Sequence, residues 1–375
     1  MPGSIVKRGK NSWSVIVDLG RDPVTGKRRQ LWRSVKGRKR EAEALLVQLL
    51  HQRDTGIDAP PGKLSVAEFL QRWLATYARP NTAPKTFLRY EQLVRVHMVP
   101  TLGSLPLTKL RPLHIQEAYC RILDKGLSAR TALQCHRVLR EALKHAVKWQ
   151  LLARNPADAV EAPRPERYEI PALSPDKVQS VIAAADVTEY GALVHAATMT
   201  GLRLGELLGL RWQDLDLDSG TLYVRQTCQW LSQQGFIFRQ PKSPSSNRSV
   251  ALSPATVERL KQHRVEKIEQ RLAVGLAHRE DGLVFTNALG QPIHPSTLRG
   301  AWQRLAKAAG LERLRFHDLR HAHASLLLQQ GVHPKIVSER LGHSGVGITL
   351  DTYSHVLPGL QAEAAARLDD LLANG

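Results

Sequence analysis

The stretch LGHSGVGITLDTYSH, residues 341–355, contains a histidine and a tyrosine, His343 and Tyr353, in a segment with few strong core residues. Packing of a hydrophobic core alone does not explain why both side chains occur in this segment. Imidazole can bind or move a proton near neutral pH, and a phenol can serve as a nucleophile. The segment therefore indicates a catalytic role, which would require further reactive groups elsewhere in the sequence.

The chain has 375 residues, which is long enough for two or three domains with separate cores. It contains no apolar run of membrane-spanning length and nothing resembling a signal peptide, which predicts a soluble cytoplasmic protein with no membrane partner. Its three cysteines, Cys120, Cys135 and Cys228, have no paired spacing. They argue against a disulfide framework or a cysteine-based metal site.

The net charge of +19 is unevenly distributed. Residues 1–63 carry 14 Lys and Arg against 6 Asp and Glu, residues 64–168 carry 17 against 8, and residues 169–375 carry 22 against 20. A sustained positive excess over the first two parts predicts a polyanionic partner, above all nucleic acid. Two basic runs are candidate contacts, although each alone is equally compatible with a solvated loop. They contain Lys27, Arg28 and Arg29, and Arg38, Lys39 and Arg40.

The hydrophobic pattern predicts a multidomain, mainly α protein with small β-sheets. In residues 1–57, alternation of Trp13, Val15 and Val17 and a turn signal predict a β-hairpin, followed by a helix. Residues 64–162 form an all-helical pattern that opens with a capping box, Ser65 and Glu68. Proline-rich linkers follow each of these two regions.

Residues 170–375 predict a mixed α/β domain. Helical spacing continues to about residue 210 and returns from about residue 254. Between them, TLYVRQTCQW, GFIFRQPK and NRSVAL predict three strands in a meander. Residues 357–372 predict an amphipathic helix that could dock on its own domain or on a neighbouring protomer.

Several polar residues of this third part form a set suited to phosphodiester chemistry. Guanidinium groups bind phosphate oxygens, tyrosine can attack phosphorus, and lysine or histidine can transfer protons. TGLRLGELLGLRW contains Arg203 and Glu206 one helical turn apart, PKSPSSNR presents Lys242 in a turn, and LRFHDLRHAHASLLLQQG contains His317 and Arg320. His343 and Tyr353 complete the set.

These motifs, in this order, resemble the signature of the tyrosine recombinases of the phage integrase family. That signature consists of an arginine in a TGLRxGEL helix, a lysine in a β-turn, a HxxR helix, and LGH followed by a tyrosine. The resemblance also covers the helical region, through VPTLGSLPLTKL (residues 99–110) and NPADAV (residues 155–160). It implies an arm-type DNA-binding module at residues 1–57, a SAM-like core-binding domain at 64–162 and a catalytic domain at 170–375.

The resemblance further implies a role for each residue. Tyr353 would be the nucleophile that forms a 3′-phosphotyrosyl intermediate, and His317 would give it base-like help. Arg203 and Arg320, assisted by His343, would clamp the phosphate. Glu206 would support them, and Lys242 would protonate the leaving 5′-hydroxyl.

The resemblance also implies partners and conditions. No metal or other cofactor would be needed, because the covalent linkage retains the energy of the broken bond. The partners would be double-stranded DNA at core-type and arm-type sites, further copies of the chain in a homotetramer, and DNA-bending and directionality accessory proteins. The protein would then act at the nucleoid, in integration or excision of a mobile element.

Two alternatives remain from the residues themselves. The first is a catalytically silent DNA-binding or architectural protein of the same fold. The second is a zinc enzyme using HDLRH, in which His317 and His321 have the i, i+4 spacing of helical zinc sites. Against zinc, no third ligand is evident downstream and Arg320 between the histidines would repel a dication.

Overall fold

The computed structural model describes residues 3–21, 28–54, 64–166, 173–241, 246–279 and 281–353, with the short helical pieces 365–366, 369–370 and 372–373. The chain divides into two compact units, Met1–Arg167 and Tyr168–Gly375. Within the described ranges, no helix combines the length and apolar character that crossing a membrane requires. The predicted fold class, mainly helical with small antiparallel sheets, is confirmed.

The first unit opens with a three-stranded antiparallel sheet. Its strands are β1 (Gly3–Gly9), β2 (Ser12–Arg21) and β3 (Arg28–Lys36), and they lie in chain order. The predicted hairpin is the β2–β3 pair, whereas β1 was not predicted. The helix α1 (Lys39–Asp54) covers one face, where the alternating Val15 and Val17 are fully buried. This alternation on one face explains why the segment forms a strand.

A helical region follows with a separate core. The helix α2 (Val66–Trp73) begins at the predicted capping box, in which the Glu68 N–H donates to Ser65 Oγ (3.2 Å) and the Ser65 N–H donates to Glu68 Oε2 (2.8 Å). It runs through a π-helical turn, Leu74–Ala78, into α3 (Arg79–Asn81). In the same way α4 (Pro84–Leu93) runs through Val94–Met98 into α5 (Val99–Leu102).

The helices α6 (Pro112–Asp124) and α7 (Ala129–Lys148) follow, and the region is helical, as predicted. Their apolar stripes are buried in the same core as that of α2, because apolar side chains recur at helical spacing on each helix. Phe69, Trp73, Ile115, Leu139 and Leu143 are all fully buried there.

The second unit begins with α8 (Pro175–Asp186), α9 (Gly191–Thr200) and α10 (Leu204–Leu208). Next come β4 (Leu215–Asp216), β5 (Thr221–Val224), β6 (Thr227–Leu231), β7 (Gly235–Arg239) and β8 (Arg248–Ala251). The sheet orders are β4-β5-β8 and β6-β7.

The predicted meander is therefore wrong. TLYVRQTCQW is two strands that belong to different sheets, and β5 pairs with β8 rather than with its neighbour in sequence. The strand is interrupted at residues 225–226, where the Gln226 side chain donates to the carbonyl oxygen of Gly209 (2.8 Å). A tertiary contact of this kind leaves no periodic signal in the sequence.

The remaining helices are α11 (Pro254–Val274), α12 (Pro295–Ala308), α13 (Asp318–Gln329), α14 (Pro334–Leu341) and α15 (Val346–Tyr353). A large core joins α8 to α10, the β4-β5-β8 sheet, and α11 to α13. A smaller core holds α13, α14 and α15 together around Tyr353. The predicted C-terminal helix at residues 357–372 lies mostly outside the described residues.

Candidate active site

Arg203 is the N-cap residue of α10, and Glu206 in the first turn of that helix holds it. The Arg203 backbone N–H donates to Glu206 Oε2 (2.9 Å), and Arg203 Nη1 donates to Glu206 Oε1 (2.8 Å). The Glu206 carboxylate is 2% exposed, whereas 39% of the Arg203 side chain is exposed. The guanidinium is thus fixed from the protein side and open on the other.

Arg320, on α13, is 4% exposed and binds two backbone carbonyls. Nη1 donates to the oxygen of Gly201 (2.7 Å) and Nη2 to that of Leu341 (2.6 Å). Burial, followed by the nearby charge of Arg203, lowers the pKa of Arg320. A guanidinium stays charged in a protein, so the site holds a buried positive charge that favours an anion.

A third arginine, Arg248 at the start of β8, was missed by sequence reasoning. Its Nη2 donates to Glu206 Oε2 (2.9 Å) and its Nε donates to the carbonyl oxygen of Arg340 (2.7 Å). Burial alone would raise the pKa of Glu206, but hydrogen bonds and charge from Arg248, with those from Arg203, lower it. The carboxylate thus remains ionised between two guanidinium groups. In the sequence, Arg248 is indistinguishable from a solvated strand arginine.

All three arginines bind backbone carbonyls at the C-terminal end of α14. The successive carbonyls of Arg340, Leu341 and Gly342 accept hydrogen bonds from Arg248, Arg320 and Arg203, respectively. The last carbonyls of a helix lack intrahelical partners and carry its negative dipole end, so cations are favoured there. Gly342 ends the helix in the left-handed region, at φ 66°. The LGH motif therefore positions two arginines through its backbone carbonyls, in addition to contributing His343 to the site.

His343 follows directly, half-buried, with Nδ1 2.8 Å from the hydroxyl of Thr349 on α15. Burial, then the charges of Arg320 and Arg203, lower the pKa of His343 to about 4. The ring is therefore neutral at pH 7. This places an uncharged imidazole next to the two arginines.

Tyr353 is the last residue of α15 and is 1% exposed. Its hydroxyl lies 2.7 Å from Nδ1 of His321 on α13, and the two rings are 5.7 Å apart. Burial raises the pKa of Tyr353 to about 12, although the charge of Arg320 acts in the opposite direction. The phenol is therefore protonated at neutral pH and shares a hydrogen bond with a histidine.

His317, the residue expected to give base-like help, lies at the N-cap of α13 with its ring exposed. The ring centroid is 5.1 Å from that of His321, edge to face. Partial desolvation and the charge of Arg320 lower the pKa of His317. His317 therefore contacts His321, and it is His321 that makes the hydrogen bond to the Tyr353 hydroxyl. Sequence reasoning considered His321 only as a metal ligand.

The structure brings together Arg203, Glu206, His317, Arg320, His343 and Tyr353. Lys242 and Lys27 lie outside the described residues, as do the side chains of Arg28 and Arg29 on β3. Arg38, Lys39 and Arg40 are exposed at the start of α1. Across the ranges the structure describes, no three His, Cys, Asp or Glu side chains group so that they could hold a metal ion.

Comparison with known families gives two matches. Residues 171–359 match the phage integrase family, and residues 65–123 match the N-terminal SAM-like domain of phage integrases. The chain is 31% identical to a tyrosine recombinase XerC-like protein of Caldanaerobacter subterraneus subsp. tengcongensis, over 98% of each chain. It is 27% identical to the ICEBs1 integrase of Bacillus subtilis, over 98% of this chain and 100% of that one.

Two solved structures share the fold. The Tn1549 transposon integrase in complex with a circular intermediate DNA superposes with a TM-score of 0.71 at 22% identity, covering 82% of this chain and 100% of that chain. A lambda integrase tetramer bound to a Holliday junction superposes with a TM-score of 0.58 at 20% identity, covering 94% and 95%. The chain therefore belongs to the phage integrase family and is a tyrosine recombinase, an enzyme that cleaves and rejoins DNA strands in site-specific recombination.

Proposed function

We propose that this recombinase integrates and excises a mobile genetic element through a 3′-phosphotyrosyl intermediate on Tyr353. The observation that carries the proposal is the convergence of Arg203 and Arg320 on the carbonyls of Gly342 and Leu341. That turn leads directly into the helix that ends at Tyr353. Two anion-binding groups are thus fixed beside a candidate nucleophile.

The two arginines retain donors for a phosphate. A guanidinium has five N–H groups, and each of these side chains makes two hydrogen bonds within the protein. The remaining N–H groups can bind the nonbridging oxygens and stabilise the charge that develops in the transition state. His343 adds a neutral donor on the same side.

Proton transfer completes the chemistry. With a pKa raised to about 12, Tyr353 must lose its proton to a protein group before or during attack. A histidine at the N-terminal end of α13 supplies that help, and the family signature assigns the role to His317. Lys242, which precedes β8 in the sequence, protonates the departing 5′-oxygen. No metal or ATP takes part, since the phosphotyrosyl bond conserves the energy for rejoining.

Double-stranded DNA is the proposed substrate and partner. The helical region at 64–162 and the catalytic domain at 170–375 bind core-type sites, and residues 1–57 bind arm-type sites through exposed side chains such as Arg38, Lys39 and Arg40. Four protomers assemble on the DNA, as in the lambda integrase tetramer bound to a Holliday junction. DNA-bending and directionality proteins assist in the cytoplasm, at the nucleoid.

A nicked suicide duplex that carries the DNA flanking the gene tests this function. The wild-type protein should form a covalent protein–DNA adduct, whereas Tyr353→Phe should bind equally well and form none. An adduct in that variant, or binding by the wild type without any adduct, contradicts the assignment; the second result favours the silent architectural protein. EDTA should leave the yield unchanged, and loss of activity restored by zinc supports the metalloenzyme instead.

A further inference from the structure

We infer that His321 is the catalytic residue that accepts the phenolic proton of Tyr353 during strand cleavage and returns it during rejoining. The inference rests on the proposed role of Tyr353 as nucleophile. It assigns the base to a residue adjacent to the HxxR motif, not to its leading histidine.

The geometry isolates the phenol from water. Tyr353 is 1% exposed and packs among Ala324, Leu328, Val337 and Leu341. Solvent therefore has little access to its proton. Among the described residues, the hydrogen-bond partner of the Tyr353 hydroxyl is Nδ1 of His321, at 2.7 Å. Heavy-atom distances of about 2.6–3.2 Å are those of direct proton transfer.

The protonation state of His321 fits an acceptor. Burial, then the nearby His317, lowers the pKa of His321 to about 4, so the ring is neutral at pH 7. A neutral imidazole carries a proton on one nitrogen only, and with that proton on Nε2, Nδ1 accepts from the Tyr353 hydroxyl.

Burial, together with the positive charges around the ring, keeps His321 a weak base in the absence of substrate. The ionisable groups that interact with it are His317, Asp318, Arg315, Arg320, His343 and Tyr353. Arg315 is paired with Asp318, and the charge of Arg320 also lowers the pKa of the ring. A phosphate bound by Arg203 and Arg320 would offset that charge and raise the basicity of His321. Proton transfer is thereby coupled to phosphate binding.

The step balances in both directions. The O–H bond of Tyr353 breaks and its proton moves to Nδ1 of His321, while the phenolic oxygen forms a bond to phosphorus. The bond from phosphorus to the 5′-oxygen breaks, and that oxygen takes a proton from Lys242. In rejoining, the attacking 5′-hydroxyl gives its proton back to Lys242, and His321 returns its proton to the departing Tyr353.

The test compares wild type with His321→Asn in single-turnover cleavage of the suicide duplex. Asparagine can place its amide oxygen near the position of Nδ1 and keep a hydrogen bond to the phenol, but it cannot take the proton. Loss of a positioned base costs on the order of 10²–10⁴ in rate, and we expect a loss in that range with unchanged DNA affinity. The rate of the variant should continue to rise with pH above the plateau of the wild type.

A substrate with sulfur in place of the bridging 5′-oxygen separates base from acid, because a thiolate leaves without protonation. Cleavage by His321→Asn should stay slow on this substrate, whereas Lys242→Ala should recover. Recovery of His321→Asn would instead make His321 an acid. A rate within about threefold of wild type with the same pH profile, in both His321→Asn and His321→Gln, also overturns the inference. Absence of a wild-type adduct at Tyr353 would instead contradict the proposed function.

Discussion

Arg248 and Glu206 form an ion pair in which both side chains are almost completely removed from solvent, 7% and 2% exposed, with 2.9 Å between Nη2 and Oε2. Removal of one partner from a buried pair leaves an uncompensated charge and costs about 3–5 kcal/mol of stability. Arg248 also donates to the Arg340 carbonyl, so its loss affects the turn whose carbonyls bind Arg203 and Arg320.

We therefore expect Arg248→Ala to lower the free energy of unfolding by about 3 kcal/mol and to slow cleavage, although Arg248 lies behind the site. Arg225 is a suitable control, because it is 55% exposed and 3.8 Å from Asp214. Arg225→Ala should change stability by less than about 1 kcal/mol. Chemical denaturation of both variants measures the difference, and equal effects would mean that burial of the pair is unimportant.

Alanine substitutions of Arg203 and Arg320 should differ in their effects on stability. In the proposed mechanism each arginine is a preorganised donor to the transition state, so each alanine variant should cleave DNA roughly a hundredfold or more slowly than wild type. Arg320→Ala should also destabilise the fold, because the buried carbonyls of Gly201 and Leu341 lose their donor. Arg203 is partly exposed, so Arg203→Ala should be milder in thermal unfolding. Near wild-type cleavage by either variant would place the phosphate elsewhere.

Gly201 should be sensitive to a single methyl group. It has φ 65°, and a Cβ there would lie 2.7 Å from Cδ2 of His323 and 2.8 Å from Cδ2 of Leu341. Gly201→Ala combines left-handed strain with overpacking, roughly 2–4 kcal/mol together. Gly310 has φ 68° but open space around its Cβ position, so Gly310→Ala should show only the strain, about 1 kcal/mol. Equal losses in the two variants would rule out the steric contribution.

Acid should destabilise the catalytic unit through His323. Burial, then the charge of Arg340, lowers the pKa of His323 to about 3. Below its unfolded value of about 6.5, the unfolded chain binds a proton that the folded chain does not. Stability should therefore fall as the pH drops from about 6.5 towards 3, by at most about 1.4 kcal/mol per pH unit for this group. His321 and His343 act in the same direction.

Urea midpoints measured between pH 7.5 and 5.5 test this dependence. His323→Asn should show a shallower decline than wild type, since the group that titrates in the unfolded chain is gone. His333→Asn changes an exposed N-cap histidine for another good cap. It should keep the wild-type slope. A wild-type slope in His323→Asn would show that other groups control acid sensitivity.

The N-terminal module should determine which DNA sites are bound. A chain that starts at residue 64 should still bind and cleave core-type DNA but lose arm-type sites. Each phosphate contact contributes about −0.9 to the logarithmic salt dependence of affinity, so the full chain should show a steeper slope on arm-type DNA. If truncation lowers thermal stability but leaves site preference unchanged, the module serves only in packing.

The sequence alone was sufficient to identify candidate site residues that lie in recognisable local motifs. Arg203, Arg320, His343 and Tyr353 are each set in a local motif, and the capping box at Ser65 and Glu68 is defined by residues three apart. Motifs of this kind can be identified from the spacing of nearby residues, without knowledge of the tertiary structure.

Arg248 and the role of His321 could not be found in this way, because they depend on which elements meet. Arg248 matters only because β8 lies beside the end of α14, and His321 only because α13 packs against α15. The same limit applies to the strands. β5 pairs with β8, which is not its neighbour in sequence, and the strand break after β5 coincides with a tertiary hydrogen bond between Gln226 and Gly209.

The three arginines and the carbonyls they bind are far apart along the chain. Arg248 and Arg340 are 92 residues apart, Arg320 and Gly201 are 119 apart, and Arg203 and Gly342 are 139 apart. During synthesis, Arg203 and Arg248 leave the ribosome long before residues 340–342 exist to orient them, and the tyrosine follows later still. A nascent or prematurely terminated chain that lacks residues 340–342 therefore cannot make these contacts. We expect such chains to leave DNA uncut, because they also lack Tyr353, the proposed nucleophile; strand cleavage would then be restricted to molecules whose translation is essentially complete.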